Sequence, residues 1–476
     1  MNNKEVDITE VIKPSMLNYM EASIYRMLPH CIDGLKPIQR KILWTMYKTK
    51  VFEFDKCSSI VGDTAKYITT GDDSVYPALV KMAQEFRNKY LPITMYGNQG
   101  YITDNKQPAA KRYTEAKLNN YALDLYFDSD IDFADYIDNY NNKLREPIIL
   151  PTLLPMSLIM GNKGTATGYT NSILPHSVES VGKAYIRFIE ARKGKVSWKK
   201  FESHIRQNMS LGIPSNPIIL NPESISKGLL TNSSKLIMEG RMEIKDASYG
   251  RKSIIITELP YELCVVDFVE SLIQCHKGHD LFSDINDYSS KDGINIEIIL
   301  KKNTNIEKAK ELIYLKTRFR SSYNYTMYFT LLGLNSNKLV KRMTIYEIFE
   351  NHYHYKTKCT KRYLENKKND IEFKYDCLVS ADLIFNIPKN KKKFFDILEN
   401  STKENIVRNI ITTFKIKENT VEYILDRRMM NLVNKGEELK SELKKLDEEL
   451  KLVKHNLDNI DEYLIDKIKM IIKKYK

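Results

Sequence analysis

Residues 33–41 read DGLKPIQRK, and this stretch introduces the second of three predicted helices in the first part of the chain. Basic residues begin that helix at 36–41, and apolar residues continue it at near-helical spacing as far as Met46. The helix before it is predicted to open at Pro14, because the missing N–H of proline costs nothing at a helix start. The helix after it is predicted over 76–90.

A helix, a turn and a basic helix form the outline of a helix-turn-helix or winged-helix DNA reader. Many proteins that do not bind DNA share this outline. The overall charge suits the same interpretation, since 74 Lys and Arg against 61 Asp and Glu leave a net charge of +13. Such an excess favours nucleic acid or an acidic membrane surface as partner, although a Lys-rich solvated surface would produce the same count.

The 476 residues, of which 42% are hydrophobic, predict a globular protein of several domains. No apolar run reaches the roughly 18 residues that a membrane span needs, and the N-terminus lacks the apolar core of a secretory signal. The six cysteines are scattered and form no CxxC pair. Their spacing indicates reduced thiols, so a cytoplasmic location is expected.

The middle and the end of the chain have different patterns. Short β-rich runs at 148–150, 253–257 and 294–300 are punctuated by prolines, which predicts a mixed α/β region. Residues 343–376 predict one long helix. Apolar residues then recur at alternating steps of four and three at Leu439, Leu443, Leu446, Leu450, Val453, Leu457, Ile460 and Leu464. This heptad seam favours an antiparallel coiled coil with the long helix, the alternative being an ordinary bundle.

Several kinds of site are absent from the sequence. There is no GxxxxGK[ST] nucleotide loop, no HExxH and no GxSxG. The glycines at 161, 164 and 168 match no nucleotide fingerprint. Neither the group Cys275, His276 and His279 nor the pair His352 and His354 supplies four ligands at zinc-finger spacing, so no metal site is predicted in this chain.

The segment 92–118, PITMYGNQGYITDNKQPAAKRYTEAKL, places Arg112 beside Tyr113. A phenol is a weak nucleophile at neutral pH, and an attack on phosphorus requires cations to hold the transition state. Arg112 could supply one such cation. The chain has 30 tyrosines, most of which must be packing residues, so this pair alone is only suggestive.

The chain resembles the A subunits of bacterial DNA gyrase and topoisomerase IV, with motifs in the family order along nearly its whole length. The matching segments are SMLNYM at 15–20, RMLP at 26–29, DGLKPIQRK at 33–41, VGD at 61–63, KY at 66–67, GD at 71–72, VY at 75–76, KMAQ at 81–84, AAKRYTE at 109–115, LPH at 174–176, ELPY at 258–261 and ILDRR at 424–428.

The resemblance implies an α+β, mostly helical architecture. Residues 1–145 would form a winged-helix DNA-binding domain with the active-site tyrosine, and 146–338 an α/β tower domain. Residues 339–378 and 429–476 would pair as a long antiparallel coiled coil, and 379–428 would form a small helical exit-gate domain that dimerises.

The resemblance also implies a mechanism, that of a type II topoisomerase. Tyr113 would form a transient bond to a DNA 5′ phosphate, so that two copies of the chain make a staggered double-strand break through which a second duplex passes. Arg112 and Arg26 would assist catalysis. The DNA-binding residues implied by the motifs are Lys36, Arg40, Lys41, Lys66, Thr70 and Thr165.

The expected partners are double-stranded DNA, a second copy of the chain and a B-type subunit. That B-type partner would bind ATP and hold Mg²⁺ in its toprim domain, so this chain would not turn over alone. The chain has the length of the medium topoisomerase subunit of T-even-like bacteriophages and no room for the DNA-wrapping β-pinwheel of bacterial A subunits. We therefore expect a viral source, and relaxation or decatenation of DNA.

Two departures from the family pattern affect the DNA surface. ITTGD at 68–72 stands where the family often has HPHGD, so histidine contacts must be replaced, with Thr69, Thr70 and Lys66 as candidates. Thr165 stands at the position of the isoleucine that wedges between base pairs, and this smaller, polar side chain should unstack DNA less well.

Two other functions compete with this interpretation. A catalytically silent DNA-binding coiled-coil protein of the same fold would share every feature except a working Tyr113. A chromosome-structuring ATPase would share the coiled coil, but the missing nucleotide loop argues against it.

Overall fold

The computed structural model describes residues 7–69, 71–101, 108–278, 281–290, 293–334, 339–401, 405–426 and 436–475. The chain divides into two compact units. The first comprises Met1–Lys356 together with Ile465–Lys476, and the second comprises Thr357–Leu464. Among the described residues, no helix is long and apolar enough to cross a membrane.

The first part of unit 1 combines helices with a small antiparallel sheet. Its helices are α1 (Ile8–Met27), α2 (Pro37–Lys48), α3 (Cys57–Ala65), α4 (Val75–Ala83) and α5 (Asn120–Leu125). Its strands are β1 (Asp55–Lys56), β2 (Ile93–Tyr96), β3 (Glu115–Leu118), β4 (Tyr136–Asp138) and β5 (Arg145–Pro147). Strand β3 lies between β1 and β2, while β4 and β5 form a separate hairpin.

The three predicted N-terminal helices are present with different limits. Pro14 lies inside α1 rather than at its start, because the side chain of Asp7 accepts a hydrogen bond from the N–H of Thr9 and caps the helix earlier. Pro37 is the first residue of α2, and the side chain of Gln39 accepts the N–H of Lys36 at 2.9 Å. Helix α4 ends at Ala83 instead of continuing to residue 90.

The remainder of unit 1 up to residue 344 contains short helices and several small sheets. Its helices are α6 (Met156–Ile159), α7 (Val178–Arg192), α8 (Trp198–Asn208), α9 (Glu223–Thr231), α10 (Val265–Gly278) and α11 (Ile306–Lys316). Its strands are β6 (Asn162–Ala166), β7 (Tyr169–Ile173), β8 (Ile218–Ile219), β9 (Ser234–Glu239), β10 (Arg241–Ala247), β11 (Arg251–Glu258), β12 (Phe282–Asp287), β13 (Ile296–Leu300), β14 (Arg320–Tyr325), β15 (Tyr328–Thr330) and β16 (Val340–Arg342).

Two of these sheets have more than two strands, ordered β10-β11-β13-β12 and β14-β9-β8, with every pairing antiparallel. The first sheet has a core of its own, in which Ile256 and Ile298 pack with Phe268 of α10 and Ile313 of α11. The β-rich runs predicted at 253–257 and 294–300 correspond to β11 and β13. The β-strand predicted at 148–150 is wrong, because the strand in that region, β5, ends at Pro147.

Unit 2 is helical. It contains the distal part of α12 (Ile345–Phe385), then α13 (Pro388–Asn400), α14 (Ile406–Phe414), α15 (Glu418–Asp426) and α16 (Gly436–Asp458), and the beginning of α17 (Ile460–Lys474). One apolar cluster joins the end of α12 to α13, α14 and α15 through Ile384, Phe394, Ile410 and Val421. Such a cluster gives this helical group a core of its own.

A second cluster in unit 2 packs Leu364 and Ile371 of α12 against Val453 of α16, with Leu446, Leu450, Leu457 and Ile460 beside them. Charged pairs flank this seam, such as Lys367 with Glu449 at 3.0 Å. The seam is interrupted at Asn459, where α16 gives way to α17. The side chain of Leu439 and residues 427–428 of the ILDRR motif lie outside the described residues.

The last helix returns to unit 1. Lys467 pairs with Asp128, and both Lys474 and Tyr475 contact Asp124. Asp128 also pairs with the buried Lys356 at 2.9 Å. The point at which the chain leaves unit 1 and the point at which it returns are therefore joined through one carboxylate.

Candidate active site and nucleic-acid surface

Tyr113 projects from a short loop immediately before β3. Its side chain is 66% exposed, while its backbone N–H is bonded to the carbonyl of Ala110 at 2.9 Å. The guanidinium carbon of Arg112 lies 4.7 Å from the centre of the Tyr113 ring. Two of the three predicted catalytic side chains, Arg112 and Tyr113, are therefore together on the surface, with a cation close to the phenol.

The backbone on both sides of Tyr113 is held firmly. Thr114 is fully buried, and its hydroxyl lies 3.0 Å from the hydroxyl of Tyr76 on α4. The same Tyr76 hydroxyl donates to the carbonyl of Ala109 at 2.5 Å. The carbonyl of Thr114 accepts the N–H of Cys57 at 3.0 Å. The exposed phenol is thus mounted on a loop whose two ends are both bonded to α4 or to the start of α3.

A glycine and an ion pair complete the support of this loop. Gly97 has a φ of +107°, and a Cβ there would lie 3.1 Å from the Cγ2 atom of Thr114 and 3.5 Å from the carbonyl oxygen of Tyr113. A larger residue would therefore be strained and would press on the loop. Lys111 pairs with Asp72 at 2.7 Å. This pair ties the loop to the turn that precedes α4.

The segments that carry Arg26, Lys36 and Thr165 meet at the β6–β7 hairpin. A Cβ on Gly164 would lie 2.3 Å from the carbonyl oxygen of Met27 and 3.4 Å from the Nζ atom of Lys36, so the hairpin can approach the end of α1 only because residue 164 is glycine. Arg26 and Thr165, the sequence neighbours of Met27 and Gly164, are both exposed. Within the described part of one chain, no hydrogen bond or ring contact joins Arg26 to Tyr113.

Lys36 also lines a basic cleft of about 390 Å³. We use the name basic cleft for the space lined by Lys36, Lys81, Arg87 and Lys163 together with neighbouring polar residues. Burial, and then the positive charge of Lys81, lowers the pKa of the Lys36 ammonium. Glu262, the acidic residue in the lining, pairs with Lys163 at 3.1 Å. An anion entering the cleft would relieve the remaining repulsion between ammonium groups.

The sequence did not identify Lys81, Arg87 or Lys163 as binding residues. Lys81 stands in the KMAQ motif and was visible in the sequence, but no spacing rule placed it near Lys36. Lys81 and Tyr76 both belong to α4 and are separated by roughly 7.5 Å along its axis, at about 1.5 Å per residue. Helix α4 therefore connects the support of Tyr113 with the basic cleft.

Arg40, predicted to bind DNA, is engaged within the fold. Its guanidinium is buried and donates to both oxygens of Asp33, from Nε at 2.6 Å and from Nη2 at 3.0 Å. Burial alone would favour a neutral Asp33, but the charge of Arg40 holds the pKa of this carboxyl below its usual value. The N–H groups of Leu35 and Leu150 also bond to Asp33. We therefore interpret Arg40 as a residue that stabilises the fold.

Lys41 is similarly engaged. It is partly buried, pairs with Glu146 at 3.1 Å and donates to the carbonyl of Tyr67. A phosphate could reach it only by displacing these partners. Lys66 is exposed, as a DNA contact would require, although it pairs with Asp63 at 2.6 Å. Thr70 lies outside the described residues.

The described residues contain no group of three or more His, Cys, Asp or Glu side chains that could hold a metal ion. His352 is buried and bonded to Tyr185 at 2.7 Å and to Thr152 at 3.2 Å, so it is a core residue. His279 lies outside the described residues.

Comparison with known proteins identifies similar sequences over almost the whole chain. The profile of the family of DNA gyrase/topoisomerase IV A subunits matches residues 26–469. The A subunit of DNA topoisomerase 4 from Staphylococcus epidermidis (strain ATCC 12228 / FDA PCI 1200) is 30% identical over 488 aligned positions, covering 99% of this chain and 59% of that protein. Its counterpart from Staphylococcus aureus (strain N315) is 31% identical, covering 92% of this chain and 54% of its own length. The chain thus spans just over half the length of these relatives.

Proposed function

Because this chain belongs to the family of DNA gyrase/topoisomerase IV A subunits, we propose that it is the DNA cleavage and religation subunit of a type II topoisomerase, with Tyr113 as the nucleophile. The observation that supports this most directly is the exposed phenol of Tyr113 beside the Arg112 guanidinium, 4.7 Å away, on a loop with anchored ends. A tyrosine that served packing would be expected to bury its ring.

The proposed reaction is a transesterification. The Tyr113 oxygen attacks a backbone phosphorus, the bond from phosphorus to that oxygen forms, and the bond from phosphorus to the 3′ oxygen breaks. The phenolic proton passes to solvent, to which the side chain is exposed, and the departing 3′ oxygen takes up a proton. Arg112 donates to the phosphate oxygens while negative charge accumulates on them. Religation is the reverse step and needs no external energy, because the phosphotyrosyl ester conserves the bond.

The basic cleft and the β6–β7 hairpin would hold the DNA that is cut. Lys36, Lys81 and Arg87 offer cations to backbone phosphates. Arg26 and Thr165 extend the same surface at the end of α1 and on the hairpin. Lys66 and Thr70 remain proposed contacts, whereas Arg40 is reassigned to the fold.

A double-strand break requires two copies of Tyr113, so we propose a homodimer. Its two subunits would contact each other both where the DNA is cut and at the exit-gate domain. We also propose the four-part domain division expected from the family. The apolar cluster around Phe394 supports a separate core for the exit-gate domain. A B-type partner would bind ATP and hold the Mg²⁺ ion, which supplies positive charge to the phosphate when bound. Strand passage would then relax or decatenate DNA.

The test is Tyr113→Phe in the chain reconstituted with its ATPase/toprim partner and supercoiled plasmid. The variant should keep duplex binding and lose the covalent protein–DNA complexes that detergent traps. The matched control is Tyr249→Phe, since Tyr249 is 87% exposed and has Arg251 5.8 Å from its ring. Covalent complexes formed by the Tyr113 variant would exclude Tyr113 as the nucleophile. If the unsubstituted chain binds DNA and forms none, the silent DNA-binding alternative is correct.

A further inference from the structure

The helical hairpin formed by α7 and α8 carries a concentrated positive charge. Residues 178–208 contain eight Lys and Arg against three Glu, a net charge of +5 in a chain whose total is +13. The basic residues are exposed. The three glutamates pair with Lys183, Arg187 and Arg206, so an excess of positive charge remains that the hairpin does not balance with its own carboxylates.

Part of this charge faces a groove between the two helices, with a volume of about 330 Å³. We call it the α7–α8 groove, and its polar lining comprises Arg187, Lys200, Ser203, His204, Gln207 and Asn208, with no carboxylate among the lining residues. Residues 200, 203, 204 and 207 recur at steps of three and four, which places them on one face of α8. Donors from both helices therefore line one space.

The electrostatics of the groove support an anionic ligand. After burial, the positive charges of Arg187 and Lys183 are the causes that lower the pKa of His204. Lys183 lies one turn before Arg187 on α7, so two cations act on the groove from that helix. The guanidinium of Arg187 forms an ion pair with the carboxylate of Glu190, with 2.9 Å between Nη1 and Oε2. Lys200 has no ion pair among the described residues.

The hairpin is rigid enough to present this groove as a fixed surface. Phe188 of α7 packs edge-on against Phe201 of α8, with ring centres 6.0 Å apart, and both contact Phe349 of α12. The hydroxyl of Ser197 caps α8, and that of Ser177 caps α7. Since the backbone is already ordered, binding there would cost little conformational entropy.

We propose that the α7–α8 groove binds the sugar–phosphate backbone of duplex DNA, as a contact separate from the Tyr113 loop and the basic cleft. The groove and the basic cleft share no lining residue. Arg187 of α7 and Lys200 of α8, together with the neutral donors Ser203, Gln207 and Asn208, offer cations and hydrogen-bond donors to backbone phosphates. The choice of DNA as the polyanion rests on the proposed function, but the contact itself does not depend on cleavage.

The test uses the full-length chain carrying Arg187→Gln and Lys200→Gln together, with binding to linear duplex DNA measured over a series of salt concentrations. Each phosphate contact contributes about 0.9 to the slope of log K against log salt, so the slope should fall by about 2 and low-salt affinity by about tenfold. The matched control is Lys308→Gln with Lys310→Gln on α11. Lys310 pairs with Glu307 three residues away, as Arg187 does with Glu190.

An unchanged slope in the groove variant, or an equal loss in the control, would overturn the proposal. Unchanged DNA binding with weakened association of the ATPase/toprim partner would instead assign the groove to a protein interface. Binding is measured without the partner and therefore without cleavage. If Tyr113 formed no covalent complexes, the DNA-binding measurement could still be interpreted. The two proposals can therefore fail separately.

Discussion

The hydroxyl of Tyr76 lies 3.0 Å from the hydroxyl of Thr114, the buried residue that directly follows Tyr113. Through this contact and its bond to the carbonyl of Ala109, α4 holds the loop that carries the proposed nucleophile. The position of the Tyr113 phenol therefore depends on the side chain of Tyr76, 37 positions earlier in the sequence.

We expect Tyr76→Phe to reduce cleavage while leaving duplex binding nearly unchanged. Loss of the hydroxyl should cost about 1 kcal/mol of folding stability, but a nucleophile displaced by even about 1 Å can lose roughly a hundredfold in rate. The rate of covalent complex formation in the reconstituted enzyme is the measurement. Tyr96→Phe, an exposed tyrosine on β2, is the control and should behave as the unsubstituted chain does. Equal cleavage rates in the two variants would show that Tyr76 does not position the loop.

Arg40 and Lys36 should respond in opposite ways to substitution. Arg40→Ala leaves Asp33 charged and buried without its partner, which should cost about 3–5 kcal/mol of folding stability. Lys36→Gln should change stability by less than about 1 kcal/mol, and it should reduce the salt slope of DNA binding by about 1. Urea denaturation and salt-dependent binding separate the two effects. A stable Arg40→Ala protein with weakened DNA binding would restore Arg40 to the DNA surface.

Lys356 should be a stability residue at the base of α12. Its ammonium is buried and contacts Asp128, Asp130 and the carbonyl of Pro151, each at 2.9 Å. Burial would lower the pKa of Lys356, but the two carboxylates raise it above its usual value, so the group is charged. Lys356→Met should cost about 3–5 kcal/mol, because it leaves buried carboxylates without this partner.

The control for Lys356→Met is Lys469→Met on α17, since Lys469 is exposed and pairs with Asp466 one turn earlier at 3.2 Å. That substitution should change the free energy of unfolding by less than about 1 kcal/mol. Similar losses in the two variants would contradict the role assigned to the buried pair.

Stability should fall as the pH drops below about 6.5, before most carboxylates titrate. Burial lowers the pKa of His30 and of His176 to about 4 and that of His352 to about 3, so all three are neutral in the folded chain. In the unfolded chain these histidines take up protons near their ordinary pKa of about 6.5. Their contribution to the free energy of unfolding is therefore fully present above pH 6.5, and it is lost as the pH falls from there towards their pKa in the folded chain.

Urea unfolding at pH 7 and pH 5 measures this loss, which should be of the order of 2 kcal/mol per histidine. His352→Gln should reduce the difference in the free energy of unfolding between pH 7 and pH 5, whereas His455→Gln, at an exposed position on α16, should not. An equal free energy of unfolding at the two pH values would show that these histidines do not govern acid stability.

Local features of the sequence predicted local features of the structure. The sequence predicts the helix at 37–48 because the signals for it, a proline at its start and apolar residues at helical spacing, come from neighbouring residues. Limits that depend on distant partners were missed. Helix α4 ends at Ala83, and the side-chain amide of Gln84, the next residue, donates to the carbonyl of Gln99 at 2.7 Å, a contact that no periodicity in 76–90 reveals.

The sequence by itself determined the family, the adjacency of Arg112 and Tyr113, and the heptad seam, because motifs and periodicity are written in covalent order. Only the tertiary structure decided which of the cations are buried in ion pairs and which line an open cleft. It buried Arg40 against Asp33, whose carboxylate also accepts the N–H of Leu150, and it brought Lys36, Lys81, Arg87 and Lys163 to one cleft. The physical reason is that a cation remains at the surface or turns inward according to the carboxylates and carbonyls that folding places around it. Those partners come from segments far apart in the chain.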